Sequence, residues 1–70
     1  MRIFLSHHAK KRLSERGIKF KDVQETIEMP EYTISKMNKK EAYKKIKGKT
    51  LKVVYAEEDK YIKVITLIWK

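Results

Sequence analysis

Seventy residues without cysteine make a single domain, 1–70, with no disulfide framework and no thiolate metal site, a composition suited to the reducing cytosol. No apolar run is long enough for an export signal or a membrane span: Ile3-Phe4-Leu5 is too short, and Val64 to Trp69 is interrupted by Thr66, so a soluble cytoplasmic protein is expected. Eighteen basic residues against nine acidic ones leave a net charge of +9, which points to a polyanionic partner, RNA before DNA.

In chain order, Arg2 to Leu5 reads either as a first strand or as the lead-in to a helix. Ser6 is a candidate N-cap, and the spacing predicts a helix over His7 to Arg16 closed by Gly17. A second helix is predicted over Ile18 to Met29, with Phe20, Val23 and Ile27 on one stripe and Pro30 as its stop. Glu31 to Lys36 reads as a strand and Asn38-Lys39-Lys40 as a turn, while Glu41 to Lys47 fits a helix or a strand. Leu51 to Glu57 and Tyr61 to Trp69 read as strands joined by a hairpin at Glu58-Asp59-Lys60. Helices followed by a meander argue an α+β fold: two N-terminal helices packed on one face of a three- to four-stranded antiparallel sheet.

Simple alternation along the last strand puts Ile62, Val64, Thr66 and Ile68 on one face and Tyr61, Lys63, Ile65, Leu67 and Trp69 on the other. Two short helices cover only one face of a sheet. Either curvature and lysine stems shield the second face, or Ile65, Leu67 and Trp69 meet a second copy of the chain or another protein.

The charge excess sits in two blocks, +4 over residues 1–17 and +5 over residues 31–50. Lys39, Lys40, Lys44, Lys45, Lys47 and Lys49 form the second block and suit sequence-independent attraction to a phosphate backbone. Only Arg2, Arg12 and Arg16 offer the planar fork of a directed phosphate contact. In the first helix, Leu5, Ala9 and Leu13 make the apolar stripe; His8, Arg12 and Glu15 lie along one edge of it and Arg16 between that edge and its centre, so that His8, Arg12 and Arg16, at intervals of four, share one side. Cations beside a His favour the neutral form that a general base needs, and Arg can stabilise charge developing on a phosphate. That is enough for metal-free RNA cleavage by a neighbouring 2′-hydroxyl. The structural alternative lays Arg16 over the core, bonded to strand carbonyls or Glu15. Adjacent His7-His8 is not metal-ligand spacing, and no Gly-rich phosphate loop exists; neither a metal nor a cofactor is expected.

His8-Ala9, Arg12-Leu13, Glu15-Arg16-Gly17-Ile18, Asp22-Val23, Ile27 and Pro30 resemble the opening of a domain-of-unknown-function family of short prokaryotic proteins. Thr50 to Tyr55 and Val64-Ile65-Thr66 match its ending. That family is distantly similar to the RelE- and BrnT-like ribonuclease toxins. The resemblance implies a RelE-like fold, metal-free RNA cleavage and neutralisation by an antitoxin protein. It also implies a site holding His8, Arg12, Arg16 and a supporting Thr66, and a strand over Glu41 to Lys47. The function expected is an RNA-directed, toxin-like protein acting as a metal-independent endoribonuclease. The alternatives are a non-catalytic RNA- or DNA-binding module and a small protein-interaction domain.

Overall fold

The computed structural model describes residues 2–70, in the order β1 (Arg2–Leu5), α1 (His7–Glu15), α2 (Phe20–Glu28), β2 (Tyr32–Lys36), β3 (Lys39–Ile46), β4 (Lys49–Glu57) and β5 (Tyr61–Trp69). The five strands make one sheet in the order β1-β5-β4-β3-β2. β1 runs parallel to β5, and every other pairing is antiparallel. This corrects the expected fold. The sheet is mixed and five-stranded rather than antiparallel with three or four strands, and a strand precedes the two helices. Arg2 to Leu5 takes the strand alternative because Ile3 and Leu5 turn toward the core while Arg2 and Phe4 face out. Glu41 to Lys47 falls mostly within β3, whose start at Lys39 shortens the preceding turn to Met37-Asn38.

Local chemistry explains where α1 begins and ends. The Ser6 hydroxyl accepts the Ala9 N–H at 3.0 Å, an N-cap bond. At the other end Gly17 sits at φ +62°, with Gly17 N–H on the Ser14 carbonyl at 3.5 Å and Ile18 N–H on Leu13 at 3.0 Å. These two bonds form a Schellman closure, which needs a residue free to adopt the left-handed region. α2 buries Val23, Thr26 and Ile27, and the Thr26 hydroxyl donates to the Asp22 carbonyl at 2.7 Å. Phe20, expected on that stripe, is 44% exposed at the first position of the helix.

Between the helices and the sheet lies a core of Ala9, Ile18, Val23, Ile27, Ala42, Ile46, Leu51, Val53, Tyr55, Ile62, Val64 and Leu67. Burying a side chain the size of Leu67 stabilises the fold by about 1.5–3 kcal/mol. Leu67 reaches this core only through an irregularity in β5. Tyr55 pairs with Val64 and Val54 with Thr66, so Ile65 is passed over. One extra residue reverses the alternation beyond it. Leu67 and Trp69 therefore join Ile62 and Val64 on the helix side, while Thr66 and Ile68 turn to the uncovered side. The expected grouping of Ile65, Leu67 and Trp69 on an open face is overturned, since Leu67 is 0% exposed.

The bulge also anchors α1. β1 accompanies β5 only from Tyr61 to Val64. Beyond it, Ser6 N–H donates to the Val64 carbonyl at 2.9 Å and the Ser6 hydroxyl to Ile65 at 3.0 Å. Arg16 Nη1 donates to the Leu67 carbonyl at 3.0 Å, and Trp69 Nε1 returns a bond to the Arg16 carbonyl at 3.0 Å. The two cap residues of α1 thus occupy edge groups of β5 that no strand reaches. At the other side of the sheet, all five residues of β2 are exposed.

Ser6→Ala removes the cap and the bond to the bulge together. The expected cost is about 1–2 kcal/mol, and the melting midpoint should fall by roughly 5–15 °C for a domain of this size. Ser6→Thr should recover most of the loss. A midpoint unchanged by Ser6→Ala in a circular-dichroism melt would show that neither bond matters.

Candidate functional site

His8 and Arg12 stand one turn apart on α1, and the structure brings them together. Arg12 Nε donates to His8 Nε2 at 3.4 Å, and Arg12 Nη1 pairs with Glu15 Oε1 at 3.0 Å. In this arrangement Nε2 of His8 presents a lone pair, and Glu15 holds the guanidinium in place. All three side chains are open to water, so the Arg12–Glu15 pair positions more than it stabilises.

His8 lines a cleft of about 480 Å³. The start of α1 supplies Ser6 and His8, the β2–β3 turn supplies Asn38 and the adjoining Lys39, and the β4–β5 hairpin supplies Glu58 and Lys63. The charged groups facing His8 are thus two ammonium groups and one carboxylate from parts of the chain thirty or more residues away. Another cleft of about 500 Å³ adjoins it and shares Lys63. Its aromatic residues are Phe4 and Tyr61, packed edge to face with centroids 5.2 Å apart and both well exposed. Exposed rings beside a basic cleft suit stacked bases.

Arg16 is not part of that group. Its Nη1 bond to the Leu67 carbonyl is the core-covering alternative raised from the sequence, and its remaining donors line a separate cleft with Trp69. Thr66 pairs with Val54 on the uncovered side of the sheet and lines neither the His8 cleft nor the Trp69 cleft. The lysine block divides as well. Lys39 lies in the His8 cleft, and Lys47 and Lys49 lie in the Trp69 cleft. Lys40 pairs with Glu57, whose hydrogen bond and charge push the Lys40 ammonium above its ordinary value. Lys44 Nζ donates to the Met29 carbonyl at 3.0 Å and closes the end of α2. Lys45 is exposed, with its backbone N–H on Glu31 Oε2 at 3.1 Å.

Lys63, Asn38 and Glu58 were missed by sequence reasoning, as were Lys19 and Lys21 beside the second cleft. For Asn38 and Glu58 the available signal was their place in turns, which the antiparallel order brings to the same end of the sheet. Among the described residues, no group of three or more His, Asp or Glu side chains is gathered to hold a metal ion. No helix among them is long and apolar enough to cross a membrane.

The uncovered side of the sheet carries its own polar centre. Glu41 accepts from the Tyr43 hydroxyl at 3.0 Å and lies 3.3 Å from Lys36 Nζ and 3.8 Å from Lys52 Nζ. Tyr43 stacks on Tyr32 at 4.5 Å, with Lys52 over its other side at 5.8 Å. Burial alone would push the Glu41 carboxyl up, but Tyr43, Lys36 and Lys52 together outweigh it and hold the group below its ordinary value. Burial, reinforced by Glu41, pushes the Tyr43 hydroxyl up.

The family model described as a domain of unknown function, DUF4258, matches residues 5–69. No curated protein and no solved structure matches the chain.

A carboxyl that is more acidic folded than unfolded adds stability in full above its unfolded value and loses it as pH falls through the folded value. Wild-type protein should therefore lose stability as pH drops below the ordinary Glu value of 4.5. Glu41→Gln should melt at a lower temperature at neutral pH and respond less to acid. Identical melting curves for the two proteins from neutral pH into the acid range would remove Glu41 from this role.

Proposed function

We propose that this chain, which belongs to the DUF4258 family, is an RNA-directed protein of the toxin type that cuts RNA at the cleft beside His8. One observation carries the reading: Nε2 of His8 is poised as an acceptor beside Arg12, at a cleft that also holds Lys39 and Lys63. A phosphate entering between the two lysines would draw Arg12 away from His8 and free the Nε2 lone pair. His8 then takes the proton of the 2′-hydroxyl, and that oxygen attacks the neighbouring phosphorus. The 5′-oxygen leaves with a proton from the Lys39 or Lys63 ammonium, and a 2′,3′-cyclic phosphate remains. DNA lacks the 2′-hydroxyl nucleophile, so it would bind without being cut. Phe4 and Tyr61 would stack a flanking base.

The toxin type rests on the sequence resemblance, which implies an antitoxin as protein partner. An acidic antitoxin surface would suit the +9 charge, and a cytoplasmic location suits an RNA target and a chain without cysteine. A second reading, a non-catalytic RNA- or DNA-binding module, is favoured by Arg16, whose Nη1 is occupied by a strand carbonyl rather than turned toward His8.

His8→Ala should lower RNA cleavage by about 100-fold or more and relieve growth inhibition in bacteria, with RNA affinity and melting temperature nearly unchanged. Arg12→Lys keeps the charge but loses the fork, and cleavage should slow at every RNA concentration. Cleavage should survive EDTA. Wild-type protein that binds RNA and never cuts it, free or on ribosomes, would leave the non-catalytic module as the account.

A further inference from the structure

The far end of α1 borders a second cleft, of about 320 Å³, which the proposed chemistry leaves unused. Five cationic side chains meet there from three stretches of chain. Arg16 closes α1, Lys19 and Lys21 begin α2, and Lys47 and Lys49 flank the β3–β4 turn. The one carboxylate beside them, Asp22, is engaged in capping α2, accepting the Lys19 backbone N–H at 3.3 Å. None of these four lysines belongs to an ion pair among the described residues. The cleft therefore concentrates five positive charges against one carboxylate, and an anion would relieve the repulsion.

One wall of this cleft is aromatic and fixed. Trp69 packs against the core, and its Nε1 bond to the Arg16 carbonyl sets the ring plane. Lys49 Nζ stands 5.9 Å above the ring centroid, so a cation reaches one face of the indole. The turn holding Lys47 and Lys49 is constrained too. Ile46 pairs with Lys49 across a two-residue connection, with Lys47 at φ +50° and Gly48 at φ +85°, the tight hairpin geometry that needs both residues left-handed. Little ordering is left for a ligand to impose.

We propose that this cleft is a nucleotide-binding subsite, with a phosphate held by Lys19, Lys21, Lys47 and the unengaged donors of Arg16. The base stacks on Trp69 where the Lys49 ammonium now stands. The ligand class rests on the RNA reading above, whereas the binding chemistry is independent of His8. Lysines alone would take any phosphate; the indole makes the site prefer a nucleotide over inorganic phosphate.

Trp69 is the only tryptophan, so its fluorescence reports on this cleft directly. Adenosine monophosphate and a short single-stranded RNA should quench it, and inorganic phosphate should compete weakly. In the variant Lys21→Gln/Lys47→Asn/Lys49→Gln, Asn tolerates the positive φ at 47, so the turn survives, as a circular-dichroism spectrum would verify. RNA affinity should fall about tenfold, and the slope of log K against log salt should shrink by about two. His8→Ala should titrate like wild type. If labelled RNA gains anisotropy while Trp69 emission stays constant, the RNA lies elsewhere and the subsite is wrong. Quenching that persists undiminished in the triple variant would also overturn it. Quenching by the mononucleotide without any binding of RNA would keep the subsite and defeat the RNA reading. No response to either ligand at low salt would defeat both.

Discussion

The contact between Ser6 and the bulge at Ile65 joins three requirements in one side chain. The hydroxyl accepts the Ala9 N–H that starts α1 and donates to the Ile65 carbonyl that the bulge exposes. The Ser6 N–H meanwhile extends the β1 pairing by one bond, to Val64. Without the extra residue in β5, Leu67 and Trp69 would face away from the helices and the core would lose its largest aromatic neighbour. The same contact fixes His8 two residues beyond the cap and sets where its ring meets the cleft. The start of the His8 cleft is thus set by a sheet irregularity, while the turns supply its other wall.

α1 then separates two basic surfaces by its own length. From His8 to Arg16 the axial rise is about 12 Å, which exceeds the roughly 8 Å over which charges interact at physiological salt. The clefts therefore act as distinct electrostatic sites, although one short helix frames both. The net charge alone suggests a uniform cationic coat. Instead, Lys40 and Lys52 are spent on carboxylates and Lys44 on a helix carbonyl, while Lys39, Lys63, Lys19, Lys21, Lys47 and Lys49 line the two clefts.

The local grammar of the chain was legible: the Ser6 cap, the Gly17 closure, the β4 and β5 strands and the second-helix residues Val23 and Ile27 all follow from pattern and turn chemistry. Two things were not. Arg2 to Leu5 is too short to declare itself, because only parallel pairing with β5, nearly sixty residues later, makes it a strand. The bulge at Ile65 is silent in an apolar run where every residue suits either face, and reading through it misassigned Leu67 and Trp69. The His8–Arg12 edge was visible from helical spacing and Lys39 from the basic block, but Lys63, Asn38 and Glu58 were not, since their approach depends on how distant turns meet.

The two borders of the sheet are unequal. β2 offers five exposed residues and its full outer edge, while β1 offers four residues and runs directly into a helix cap. Extension of a sheet requires an acceptor edge that each added unit regenerates. A copy that pairs its own β2 with this one would regenerate none, because the pair would show only two short β1 borders to newcomers. Symmetric pairing through β2 therefore ends after a single event, as a closed two-fold pair rather than a growing sheet.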